Sequence, residues 1–185
     1  QMTKRNFIIP RGNFEKLNVE IGFGDGEYLI KSAINKPNEL FIGIEIYING
    51  VAKVLKKIMD QNINNIKLIN MNSLFFINVL SSQSLDKVFI INPDPWNKKK
   101  HNKRRLISYE NVKMLMNIMR SKNSIFITTD SERYLKDIRE IFRKNITELG
   151  KVSICKLSQK DSLYGVSRYQ RKAIDKGKAI YQITF

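Results

Sequence analysis

Cysteine and histidine are nearly missing from this chain: one of each in 185 residues, Cys155 and His101. A single cysteine excludes an intramolecular disulfide and a cysteine-rich metal site. With one histidine beside it, a protein zinc site is not expected either, and no metal is assigned. No run of 18 apolar residues is present, so no membrane-spanning helix is expected. No secretory signal is visible, and a cytoplasmic location follows as an expectation. The chain opens on Gln1 rather than Met, so its start is expected to be trimmed. Acids are also scarce: 17 against 33 lysines and arginines, for a net charge of +16. Such an excess points to a polyanionic partner, most often nucleic acid. A background rich in Ile, Asn and Lys accounts for part of the excess, but less readily for one dense cluster: Lys98, Lys99, Lys100, Lys103, Arg104 and Arg105.

What is present suits a folded domain. Apolar residues make up 42% and charged residues 27%, the balance of a globular protein rather than a disordered one. The length suits one compact unit, and residues 1–185 are read as a single domain.

Apolar runs and helical spacings alternate along the chain. Strands are predicted at 18–24, 40–46, 65–70, 86–93 and 123–130, with two more in the tail, "KVSICKL" and "KAIYQITF". Helices are predicted at 27–36, 49–62, 109–120 and 131–144, with a short helix or turn leading to Leu80. In the second helix Val51, Leu55, Ile58 and Met59 are expected to form the inner face, and Ser131 is expected to cap the last helix. Near-continuous apolar strands alternating with helices imply an α/β fold with a mostly parallel sheet covered on both faces.

The first chemical signal is "EIGFGDGEYL", where Gly22, Gly24 and Gly26 lie between a strand and a helix. Glycines there allow a tight turn and close approach of a ligand to the backbone. The spacing is GxGxG, and Glu27 occupies the position where a dinucleotide fingerprint needs glycine. Glu20, Asp25 and Glu27 crowd the turn, which disfavours a pyrophosphate and favours a ligand carrying positive charge. Glu45 ends the second strand, 21 residues beyond Gly24, where an acid can accept ribose hydroxyls. A nucleoside with a cationic group and no phosphate fits this set, and S-adenosylmethionine is such a molecule. Asn72 is expected either to meet the adenine amino group or to cap the next helix.

The second signal is "INPDPWNKKKHNKRRL", from Ile91 to Leu106. Asp94 follows a strand end and is held between Pro93 and Pro95, which restrict the loop. In an open parallel sheet, ligands bind beyond the carboxyl ends of the strands. A carboxylate there can take a hydrogen bond from a purine, while the neighbouring cations, Lys98 among them, hold phosphates. Trp96 is expected to brace the loop or to stack on a base.

"EIGFGDG", "FIGIE", "NPDPWNKKKHNKRRL" and "TTD" resemble the bacterial tRNA (guanine-N7-)-methyltransferases, which modify guanine 46 of the variable loop. The resemblance runs from about Val19 to the C-terminus and implies a Rossmann-like class I methyltransferase fold with a seven-stranded sheet. It also implies S-adenosylmethionine as cofactor and tRNA as partner, without deciding between monomer and homodimer. By the resemblance, Glu20, Glu45 and Asn72 contact the cofactor, with the glycine turn and Asp94 close to it. Asp94 is the catalytic acid, and Asp130 helps to hold the target guanine; both are expected to be catalytic by stabilising the positive charge that methylation leaves on the purine, Asp94 first. His101, Arg104 and Arg105 contact tRNA, and Ser167, Tyr169 and Gln170 match a T-x-[YF]-E pattern at the site. Three positions depart from the family: Asn72 replaces an aspartate, Ser167 a threonine and Gln170 a glutamate. The basic N-terminal extension common in the family is expected to be short or absent.

Other classes are a methyltransferase acting on another RNA, a protein or a small molecule, and an RNA-binding module with a decayed cofactor site. A nicotinamide dehydrogenase is disfavoured by Glu27 and the acidic turn. Tyr134 and Tyr169 join Trp96 as candidate contacts to a flipped base.

Overall fold

Strands β1 (Lys16–Ile21), β2 (Glu39–Glu45), β4 (Lys87–Ile91) and β5 (Ile125–Thr129) lie side by side and parallel, with β3 (Ile66–Asn70) added beyond β2. This is a computed structural model, and it describes residues 7–122, 124–157 and 168–185, apart from the side chains of Lys99, Arg168 and Tyr169. β6 (Ser153–Leu157) and β7 (Ile180–Thr184) complete a seven-stranded sheet of order β3-β2-β1-β4-β5-β7-β6, with β7 antiparallel to both its neighbours. The chain builds outward from β1 to β3, then returns to β4 and builds the other way. That reversal opens a crevice at the carboxyl ends of β1 and β4, where ligands of such sheets bind.

The central strands are apolar on both faces because helices cover both. On β4, Val88 and Ile90 face one core while Phe89 faces the other. The first core is closed by α3 (Ser73–Val79), α4 (Tyr109–Ile118) and α5 (Glu132–Lys144), through Phe76, Leu115 and Ile138 among others. The second is closed by α1 (Glu27–Asn35) and α2 (Ile48–Asp60), through Leu29, Ile30 and Val54. Each such buried aliphatic side chain stabilises the fold by roughly 1.5–3 kcal/mol relative to exposure. Ser108 and Ser131 cap α4 and α5 by accepting from the amides of Asn111 and Tyr134, each cap contributing about 1 kcal/mol.

The sequence places β1, β2, β4 and β5 within a few residues of where they lie. The inner face of α2 is half as expected: Val51 and Ile58 pack against the second core, but Leu55 and Met59 are exposed, and Gly50 and Val54 are buried. The cause is a close backbone contact: a Cβ on Gly50 would stand 2.8 Å from the carbonyl oxygen of Gly24. The helix is therefore turned by its fit against the glycine turn, not by its widest apolar arc. A short α6 (Ile146–Leu149), a 3-10 helix over Lys99–Arg104 and α7 (Arg168–Asp175) were not expected.

Candidate active site

The ends of β1, β2, β4 and β5 open into one cavity of about 700 Å³. The glycine turn forms its first wall. Gly22, Gly24 and Gly26 have φ of +70°, +53° and +67°, which L side chains rarely adopt. The turn is closed by Gly22 N donating to the Ile44 carbonyl (2.8 Å) and Gly26 N to the Phe23 carbonyl (2.8 Å). A Cβ on Gly22 or Gly24 would meet nothing within 4 Å, so these two face open space. Gly26 faces the protein, and a Cβ there would lie 2.4 Å from Val54 Cγ2.

Glu45 ties this turn to the end of β2. Its Oε2 accepts from Gly24 N at 3.0 Å, and its Oε1 accepts from the amides of Ile46 (2.8 Å) and Tyr47 (2.9 Å). Both lone pairs of Oε1 are thereby used, while Oε2 keeps one. Glu20 alternates on β1 with Val19 and Ile21, which are in the opposite core, and is only 2% exposed. Its Oε2 is buried without a hydrogen-bond partner. Burial first, and the nearby Glu45 carboxylate second, push its pKa well above the ordinary carboxyl value. Burying an unpaired carboxylate is costly, so the group holds its proton until a cation or donor reaches it.

Asn72 also lines the cavity, and its Oδ1 accepts from Leu74 N at 2.9 Å, capping α3. Of the two roles open to it in the sequence, the cap is made directly. Asn70 Nδ2 donates to the carbonyls of Glu45 and Ile46 and holds the second wall in place.

The Asp94 loop forms the opposite wall. Asn92 and Trp96, at its two ends, both have left-handed backbones, with φ of +48° and +44°. Such a conformation is uncommon for asparagine and rarer for a bulky residue, and is kept only when its surroundings impose it. Thr128 on β5 does so for Asn92: Thr128 Oγ1 accepts from Asn92 N (3.2 Å) and donates to Asn92 Oδ1 (3.0 Å). Arg133 of α5 donates to the Asn97 carbonyl at 2.8 Å. Asp94 itself is exposed at the mouth and makes no ion pair with any described residue.

Arg105 corrects the sequence reading. Expected on a tRNA-contacting surface, it is 7% exposed. Its Nε donates to the Pro95 carbonyl at 2.7 Å, its Nη1 pairs with Asp137, and its guanidinium lies 4.9 Å from the Tyr134 ring centre. It braces the Asp94 loop from below and is not presented to a phosphate. Tyr134, a candidate base contact, is likewise core: it is 1% exposed, its hydroxyl accepts from Ile107 N, and burial pushes its pKa up to about 12. Of the other cluster residues, Lys98 and Arg104 are exposed and His101 is half-buried. His101 meets the Trp96 ring edge-on at 5.7 Å, and the Arg104 guanidinium lies 5.1 Å from the Trp96 ring centre. Trp96 and Arg104 line the cavity.

Asp130, one residue past β5, lines the cavity and is held by Lys178 Nζ at 3.0 Å. Gln170 does not line it. It is buried, with Nε2 donating to Thr128 Oγ1 at 3.4 Å, so it joins the support under Asn92 rather than the open site. Ser167 and the side chain of Tyr169 lie outside the described residues. Sequence reasoning missed Asn92, Thr128, Arg133 and the lysines of the C-terminal segment.

The cofactor-sized space beside Gly22 and Gly24, the unpartnered Glu20 oxygen and the spare Glu45 lone pair together fit a ribose-bearing ligand with a cationic group. Comparison with known proteins places the chain among methyltransferases. Residues 15–183 match the family model described as "Putative methyltransferase". A tRNA (guanine-N(7)-)-methyltransferase of Buchnera aphidicola subsp. Schizaphis graminum is 35% identical over 90% of this chain and 70% of its own length. One from Buchnera aphidicola subsp. Acyrthosiphon pisum is 33% identical over 100% of this chain and 78% of its own. A bifunctional methyltransferase of Rickettsia conorii is 38% identical over 86% of this chain, but only 30% of that longer protein is covered. Across the Rickettsia relatives of that kind, the chain spans between 23% and 31% of their length. Among solved structures, a 16S rRNA methyltransferase superposes with a TM-score of 0.71 at 12% identity, covering 94% of this chain and 89% of that one. An antibiotic-related methyltransferase does so with 0.67 at 15%, covering 99% and 98%. These two establish the fold alone.

Proposed function

The chain belongs to the tRNA (guanine-N7-)-methyltransferase family, and on that premise we propose that it methylates N7 of a guanine in tRNA, guanine 46 of the variable loop being the expected position. The observation that carries the proposal is one shared cavity: buried Glu20 and tethered Glu45 at one wall, Asp94 and Asp130 at the other. The same proposal takes residues 1–185 as one methyltransferase domain working in the cytoplasm.

S-adenosylmethionine, when bound, supplies an electrophilic methyl group and carries positive charge. Glu20 Oε2 would accept from its ammonium, Glu45 Oε2 from a ribose hydroxyl, and the bare Cα atoms of Gly22 and Gly24 leave it room. Guanine N7 has a lone pair and no proton, so no general base is required. The protein's share is therefore positioning and electrostatics. Methylation leaves the purine cationic, and a carboxylate beside it interacts more favourably as charge develops, which favours the transition state over the ground state. Asp94, without an ion-pair partner among the described residues, is the stronger contributor. Asp130 is partly neutralised by Lys178 and is better suited to orienting the base. Trp96, held by the loop and crossed by Arg104, offers a ring for a base extruded from the tRNA core.

The test is nucleotide mapping of an unmodified tRNA transcript labelled from radioactive methyl donor. Label at guanine N7 in the variable loop is expected. Label confined to another nucleotide, to ribosomal RNA or to protein would overturn the reading.

A further inference from the structure

We propose that α7 and the turn behind it form a second cationic lip, which grips RNA phosphate beside the target guanosine from the side opposite Arg104. The inference rests on the tRNA reading above and extends it to residues for which the family resemblance gave no role. Lys172 and Lys176 stand four apart on α7 and its C-terminal turn, so they share one side. Gly177, with φ +68°, reverses the chain and returns Lys178 to that side. All three line the cavity.

The lip is built rather than loose. Gln170 and Ala173 seat α7 on the protein. Arg171 is pinned to Glu27 at 2.6 Å, on the glycine-turn wall, and Lys178 to Asp130 at 3.0 Å, at the end of β5. The segment thus spans the mouth with both ends tied to opposite walls. Between the ties, Lys172 and Lys176 have no ion pair or hydrogen bond with any described residue. Other lysines, Lys67 and Lys151 among them, also make no ion pair with a described residue, but they do not line the cavity. Two unmatched ammonium groups held over a cavity are a ready site for a phosphodiester, and little side-chain placement remains to be done on binding beyond the lysines themselves.

The charge arrangement sorts the ligand's parts. The glycine-turn wall carries Glu45 and Asp25, which disfavour phosphate, while Arg104 on one lip and Lys172 and Lys176 on the other attract it. A nucleotide drawn out of its stack enters with a phosphate on each side. One lip alone would hold only one of them.

The test compares Lys172→Gln/Lys176→Gln with Lys67→Gln/Lys151→Gln, which removes the same charge elsewhere on the surface. tRNA affinity is measured without turnover across a salt series. For the α7 pair, Kd is expected to weaken about tenfold at low salt, and the slope of log K against log salt to become shallower by about 1.8, two phosphate contacts at roughly 0.9 each. Cofactor affinity should not change, and Lys172→Arg/Lys176→Arg should restore both tRNA affinity and slope. An α7 pair that keeps the wild-type Kd and slope, or a control pair that loses as much, overturns the proposal. Because binding is read apart from chemistry, label at the wrong nucleotide would defeat the proposed function while leaving this comparison to stand or fall by itself.

Discussion

Arg105 Nε lies 2.7 Å from the carbonyl oxygen of Pro95, so the loop that carries Asp94 is propped by a buried member of its own basic cluster. The neighbouring Arg104 is exposed and crosses Trp96 instead. Two adjacent arginines thereby have separable tasks. Arg105→Ala is expected to lower stability by about 2–3 kcal/mol, through loss of a charged hydrogen bond and of packing on Tyr134. Arg104→Ala should leave stability nearly unchanged and make the salt dependence of tRNA binding shallower by about 0.9. Urea denaturation and a binding series in salt measure the two. Equal effects of both substitutions on both readouts would contradict the division.

Glu20 makes stability and cofactor binding depend on pH. Its pKa in the folded protein is raised, so between the ordinary value of 4.5 and that raised value the folded state keeps a proton that the unfolded state has lost. Stability without cofactor should therefore fall as pH rises through this window. Glu20→Gln should flatten that fall. Binding of S-adenosylmethionine below the raised value should release a proton, because the ammonium favours ionised Glu20. Calorimetry in buffers of different ionisation enthalpy reads that proton, and its persistence in Glu20→Gln would rule Glu20 out as the source.

Asp94→Ala is expected to reduce kcat at saturating tRNA by about 10²–10³-fold, the usual loss when one preorganised electrostatic contact to a developing charge is removed. The side chain is exposed, so the melting temperature should stay near that of wild type. A near-normal kcat would take Asp94 out of the role.

Gly26 and Gly24 should fail differently when given a side chain. Gly26→Ala meets Val54 as well as a strained backbone and should lose about 2–4 kcal/mol of stability. Gly24→Ala has space for its methyl group and should lose about 1–2 kcal/mol, with most of its effect on cofactor affinity. Thermal unfolding and cofactor titration of the pair separate fold from site.

The sheet was legible because β1, β2, β4 and β5 are buried on both faces, which leaves continuous apolar runs in the chain. The acids at the strand ends were legible because each directly follows such a run. Arg105 was not, since six cations in one cluster look alike until packing buries one of them. Nor was the whole face of α2: Val51 and Ile58 pack inward as expected, but Gly50 fits against the Gly24 carbonyl, and Leu55 and Met59 are left outward. α7 escaped notice because it is only eight residues long and mostly polar, Arg168–Asp175, and so leaves no apolar run to mark it.

β7 is antiparallel and slots between β5 and β6, which makes order of synthesis matter. A nascent chain leaving the ribosome exposes Asp130 long before Lys178 and β7 emerge. Until they do, the outer edge of β5 lacks its partner strand and Asp130 lacks the counter-ion that neutralises it. The wall of the cavity that holds Asp130 is therefore completed only after Lys178 is in place and β7 has joined the sheet.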